Sequence, residues 1–197
     1  MKKTQNNKAW FLLYILLVGG TAATLSVISD NIRYMIGNIP PSKFFITYVA
    51  ITFNSLPVWF LLAMGVGHLF GKSIKSAAVY GSIYTLTTIT LYYVFGALYN
   101  GTSIFSVATD GSLCVLLTWY IASLLGGILG GVTGFIFKRK PYTLLIFSVG
   151  IIIQLYLNDI DDWVDTVVIA QNATYCVMLA ASLRCFYIID KKKENLN

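Results

Sequence analysis

The chain has 197 residues, of which 57% are apolar and 11% charged, with a formal net charge of +6. At a mean hydropathy of +0.73 it has too little polar surface to enclose a soluble core, so a water-soluble globule is excluded and an integral membrane protein is expected. The length leaves room for one helical bundle, residues 1–197 forming a single transmembrane unit without a separate soluble domain.

A helix needs roughly 20 apolar residues to cross the ~30 Å hydrocarbon layer of a bilayer. About six stretches qualify: Ala9 to Ser29, Phe44 to Phe70, Ala77 to Tyr99, Leu113 to Phe137, Tyr142 to Leu157 and Thr166 to Ile189. The expected fold is therefore all-α, a polytopic bundle of about six membrane helices. Charge sets its orientation. Twelve of the fourteen basic residues (Lys2, Lys3, Lys8, Lys72, Lys75, Lys138, Arg139, Lys140, Arg184, Lys191, Lys192 and Lys193) fall on one side of such a bundle, which the positive-inside rule makes cytoplasmic. Six of the eight acids, Asp30, Asp110, Asp159, Asp161, Asp162 and Asp165, fall on the other. Both termini are thus expected in the cytoplasm. The excess of positive charge reflects this asymmetry and implies no nucleic-acid partner.

The first apolar run, with Gly19-Gly20-Thr21-Ala22-Ala23 at its centre, exceeds a signal-peptide core and is expected to stay as an anchored helix with a packing face of Gly19, Ala22, Ala23 and Ser26. Between Asp30 and Lys43, Pro40 and Pro41 stop any helix. The apolar trio Tyr34, Met35 and Ile36 suits a segment lying on the outer mouth. The second stretch is long and broken by Asn54-Ser55-Leu56-Pro57. A short outer or re-entrant piece near Phe44 to Phe53, then a membrane helix from Ser55 to Gly71, is the preferred reading, and one kinked span is the alternative.

The run Asn54 to Trp59 leading into an apolar helix, the basic turn Lys72 to Lys75, the tyrosine-rich third helix and the glycine-laddered fourth helix with its basic end together resemble a family of small bacterial membrane proteins of unknown function. The resemblance implies a multi-pass bundle in the bacterial inner membrane and carries no activity with it. The acidic run before the last helix lies outside the shared pattern.

In the third stretch Tyr80, Tyr84, Thr88, Tyr92 and Tyr99 approach one stripe, beside Thr85, Thr87 and Thr90. Hydroxyls in lipid bond their own helix carbonyls or a neighbouring helix, so the stripe reads as a packing face or as the lining of a cavity. The fourth stretch holds two small-residue rows, Gly126/Gly130/Gly134 and Ser123/Gly127/Gly131. Residues four apart share a helix face, and smooth faces let backbones approach closely, so this helix is expected at the centre of the bundle.

Chemistry-bearing groups are sparse. No span carries a carboxylate, lysine or arginine near its middle, which argues against proton-coupled carriers and voltage sensors. The uncharged amides Asn54, Gln154, Gln171 and Asn172 all map to the outer half, Gln171 about 8 Å below its helix start. Asn54, Gln154 and Gln171 with Trp59, Tyr92 and Trp119 form the expected ligand-binding set, against a background of interhelical bonding and an aromatic belt. The run Asn158 to Asp165 reads as a helix cap through Asp161 or Asp162, with cation binding as the alternative. His68 has no second histidine or carboxylate nearby, Cys114, Cys176 and Cys185 show no CxxC spacing, and no catalytic residue, metal site or cofactor is expected. Asn100-Gly101-Thr102 and Asn172-Ala173-Thr174 match glycosylation acceptors by chance composition.

Three functions compete on these grounds. The first is a non-catalytic, solute-recognising subunit of a bacterial uptake system, with the bilayer, a membrane partner subunit and a small-molecule solute as its partners. The second is a scaffold or immunity-type protein that associates through Gly127 and Gly131. The third, a membrane enzyme using His68 or the aspartates, lacks a paired acid and base.

Overall fold

The computed structural model describes residues 2–32, 39–102, 113–158 and 165–194, and among them every regular element is helical. Helix α1 (Lys2–Tyr14) continues through a π turn (Ile15–Gly19) into α2 (Gly20–Asp30). Next come α3 (Pro41–Phe53), α4 (Leu56–Phe70), α5 (Ile74–Asn100) and α6 (Leu113–Phe137). A 3-10 turn (Pro141–Thr143) leads into α7 (Leu144–Leu157), and α8 (Thr166–Glu194) completes the fold. Tyr34, Met35 and Ile36 of the outer-mouth segment, and Asp110, Asp159, Asp161, Asp162 and Trp163, lie outside the described residues.

Three helices are long and apolar enough to cross a bilayer, Asn7–Asp30, Leu113–Phe137 and Thr166–Ile189. The pair α3 and α4, bent by 62°, makes a fourth if it is one span. Pro141–Leu157 is apolar but short, and the 27-residue α5 is long enough but diluted by its tyrosines, threonines and serines. The bend falls where the sequence interrupts the second stretch. Ser55 is extended, Pro57 occupies the first turn of α4 where its missing N–H costs nothing, and the Ser55 hydroxyl donates to the Thr52 carbonyl at 2.6 Å.

Local signals set the limits of α5. Ser73 and Ser76 form a reciprocal capping box, each backbone N–H donating to the other's hydroxyl at 2.9 and 3.2 Å. At the far end Gly101 takes a left-handed φ of 63°, which lets Thr102 N–H reach back to the Ala97 carbonyl at 2.9 Å. Along the helix the hydroxyls of Ser82, Thr88 and Thr90 donate to carbonyls four residues back at 2.7–2.8 Å, so polar groups in an apolar setting are satisfied within the helix.

The tightest packing in the fold is glycine on backbone. A β-carbon at Gly67 of α4 would overlap the Gly131 carbonyl, one at Gly81 of α5 the Gly127 carbonyl, and one at Gly134 the Met64 carbonyl. At Gly130 it would stand 2.7 Å from the Ala63 methyl. The two rows of α6 thus meet different neighbours, Gly127 against α5, Gly130 and Gly134 against α4, and Gly131 between the two, against Ala77 of α5 and Gly67 of α4. Ser123 extends the first row by accepting from the Thr85 hydroxyl at 2.7 Å. Gly126 has nothing within 4 Å of where its β-carbon would lie.

The position of α6 differs from the central one expected. Only 17% of its most apolar window is buried, and Leu117, Ile121, Leu125 and Leu129 stand exposed on its other side. Small residues identify a face that packs closely, whereas the number of neighbours depends on the remaining faces, and here those carry large apolar residues suited to lipid.

Around this nucleus, α1 packs on α4 and α5 through edge-on rings, Phe11 with Tyr80 at 4.7 Å and Phe70 at 5.3 Å, and Tyr14 with Tyr84 at 5.6 Å. The tyrosine stripe of α5 therefore meets a helix over Tyr80 and Tyr84, while Tyr99 at its far end is exposed. On the other side Phe147, Ile151 and Tyr175 of α7 and α8 close on Met64, and the hydroxyls of Ser148 and Ser182 meet at 2.8 Å.

Contact registers give relative directions. Ala77, Gly81 and Thr85 meet Gly131, Gly127 and Ser123, so α5 and α6 are antiparallel. Ala63 meets Gly130 and Gly71 meets Lys138, so α4 and α6 are parallel. Pairs 148/182 and 158/172 make α7 and α8 antiparallel.

Gly67→Ala is expected to lower stability by about 1–3 kcal/mol through overpacking against a backbone that cannot yield. Gly150→Ala, where nothing lies within 4 Å, should be neutral or better. Thermal unfolding of both variants in one detergent compares them.

Candidate functional site

The polar side chains gather where α2, α3, α4 and α5 meet, at the end of the bundle that carries Asp30. Asp30 is the last residue of α2. Its Oδ1 accepts from the Asn54 amide at 2.8 Å, and its Oδ2 accepts from the Tyr92 hydroxyl. One exposed carboxylate thus ties the break between α3 and α4 to α5, and because the acceptor is charged these bonds are stronger than neutral ones. Rings continue from it. Tyr92 meets Tyr93 edge-on at 5.1 Å, Tyr93 stacks on Tyr120 of α6 at 6.0 Å, and the Tyr120 and Thr90 hydroxyls are 2.9 Å apart.

A second group lies under α3. The Gln171 amide donates to the Ile51 carbonyl at 2.7 Å and to the Tyr175 hydroxyl at 2.8 Å, and the Tyr48 and Thr174 hydroxyls pair at 2.7 Å. These bonds hold the inclined α3 on α8. A third runs between α7 and α8, from Gln154 to Asn158 at 2.8 Å and from Asn158 to Asn172 at 2.6 Å. Asn172 is fully buried, and among the described residues its amide nitrogen and the Thr52 hydroxyl find no hydrogen-bond partner.

Of the six expected ligand residues, the fold brings Asn54 and Tyr92 together on Asp30. Gln171 and Gln154 sit in the two other groups, Trp59 is half-buried on α4, and Trp119 is 51% exposed on α6. Among the described residues these six are spread over separate groups. A shallow open groove between α2 and α5, lined by Thr24, Val27, Ile28, Phe95, Leu98 and Tyr99, includes none of the six. Asp30 is the residue that sequence reasoning passed over. An acid at a helix end looks like a solvated loop charge, and its signal was only that it lies one residue beyond an apolar span.

At the start of α8 the Asp165 Oδ1 accepts from Val167 N–H at 2.7 Å, and the capping expected of Asp161 or Asp162 lies outside the described residues. His68 is exposed beside the Phe137 ring at 5.9 Å, Cys114, Cys176 and Cys185 are exposed and free, and among the described residues no three His, Cys, Asp or Glu side chains gather as a metal site would need. Compared with protein-family models, curated proteins and solved structures, the chain matches none.

If Asp30 carries the junction, Asp30→Ala and Tyr92→Phe are coupled. A double-mutant cycle read by thermal unfolding should give an interaction of about 1 kcal/mol or more, whereas independent sites would agree within about 0.5 kcal/mol.

Proposed function

We propose that the chain is a six-span, multi-pass protein of a bacterial inner membrane with both termini in the cytoplasm, and that it recognises a small solute without transforming it. The alternation of helix directions supports the span count. With α4 and α6 running one way and α5 against them, each turn between successive helices returns the chain to the opposite end, and the basic turns Lys72 to Lys75 and Lys138 to Lys140 meet at the same end.

The Asp30 junction carries the functional reading. A carboxylate held by Asn54 and Tyr92, next to a helix break and followed by Tyr93 and Tyr120, offers charge, amide and ring faces in one exposed place. Such a set favours a small cation or a polar solute with a positively charged group, attracted by the carboxylate and by ring faces. A subunit of an uptake system, delivering solute to a membrane partner, fits this arrangement. The scaffold alternative invoked Gly127 and Gly131, and these are already occupied by Gly81, Ala77 and Gly67 of the same chain. A partner helix has to use other surface. The enzyme alternative rests on His68, which has no acid beside it among the described residues, or on the aspartate run, most of which lies outside them.

A thermal-shift panel of amines, quaternary ammonium compounds, amino acids and vitamins tests the reading. At least one positively charged or polar member should raise the melting temperature by about 2–5 °C, and Asp30→Asn should abolish that shift. A panel without any shift, or a shift unchanged in Asp30→Asn, would overturn it.

A further inference from the structure

The two basic turns form a surface of their own. Lys138 Nζ donates to the Gly71 carbonyl at 3.0 Å, which satisfies a terminal carbonyl of α4 and draws the turn after α6 against the turn after α4. Lys72, Lys75, Lys138, Arg139 and Lys140 are thereby collected at one place, all of them exposed. Three of the cationic heads also rest on rings, Lys138 and Arg139 over Phe135 at 5.7 and 5.9 Å and Lys140 over Tyr142 at 5.8 Å. Aromatic rings beside cationic heads are the arrangement of side chains at headgroup level, with apolar parts toward lipid tails and charge toward phosphate.

Among the described residues none of these five cations is paired with a carboxylate. Between Asp30 and Asp159 the sequence contains one acid, Asp110, in the stretch that joins α5 to α6, and the next acids outside the Asp159 to Asp165 run are Asp190 and Glu194 near the end of α8. Like charges held side by side are costly unless something answers them. Only one of the five is tied to a carbonyl, leaving four without an acceptor from the chain among the described residues.

We infer that the paired turns Gly71 to Lys75 and Lys138 to Lys140 bind the phosphate headgroup of an anionic phospholipid, which bridges α4–α5 to α6–α7. The inference rests on the membrane reading and is independent of any solute at Asp30. Arg139 supplies the planar donor fork that suits phosphate, and the lysines add point charges around it. A headgroup in this position would bind the same helices that the glycine rows hold, at the one end where α4 and α6 finish together. It therefore acts as a strut on the nucleus of the fold.

The test uses the full chain in mixed micelles of detergent with phosphatidylglycerol or phosphatidylcholine. Phosphatidylglycerol should raise the melting temperature by about 3 °C or more over phosphatidylcholine, and the gain should shrink as salt is added. Lys72→Gln with Arg139→Gln and Lys140→Gln should lose most of it, whereas the matched triple change Lys191→Gln, Lys192→Gln and Lys193→Gln should keep it. Lys138 is left intact because of its bond to Gly71. Equal melting temperatures in the two lipids, an equal loss in both triple variants, or an equal gain from inorganic phosphate would each overturn the assignment. If the first triple variant does not fold, the salt dependence and the phosphate arm on the unmodified chain decide the question.

Discussion

Backbone meets backbone where α6 crosses α4 and α5. Gly67, Gly81, Gly127, Gly131 and Gly134 come together without side chains between them, so the carbonyl of one helix occupies the space a neighbour's β-carbon would take. In lipid, apolar side chains gain little by leaving the surroundings, so close contact of this kind is a main source of attraction between helices. Other contacts follow from that crossing. Thr85 reaches the Ser123 carbonyl only because α5 and α6 are so near, and Lys138 reaches Gly71 only because α4 and α6 end together.

The remaining helices are held by different forces. Rings link α1 to α4 and α5, while hydroxyls and amides link α7, α8 and α3. Polar contacts concentrate at one end, where Asp30 gathers Asn54 and Tyr92, and cationic side chains concentrate at the other. The glycine nucleus lies between these two ends, the Asp30 junction at one and the basic turns at the other.

Much of this architecture was legible from the residues. Spacing by four announced the close face of α6, and Pro57 after Asn54 and Ser55 announced the break between α3 and α4, because proline's geometric demands are local. What packs on a face is not local. Gly126 belongs by spacing to the same row as Gly130, yet nothing stands within 4 Å of where its β-carbon would lie. For the same reason α6 lies toward lipid although its glycines suggested the middle. The candidate site was legible in part. Asn54 and Tyr92 were identifiable as polar groups in an apolar setting, but the carboxylate that unites them sits 24 and 62 residues away in sequence. Gln154 and Gln171 share a level with them and belong to other pairings, which only the helix arrangement decides.

A leucine scan through Leu113–Phe137, with folded yield read by size-exclusion chromatography in detergent, tests the glycine nucleus most directly. Yield should collapse at Gly127, Gly130, Gly131 and Gly134 and hold at Gly126, Ala122 and Thr118, a pattern that places the intolerant positions on the two packed rows alone. Tolerance of leucine at Gly127 and Gly131 would contradict the crossing on which the fold has been built.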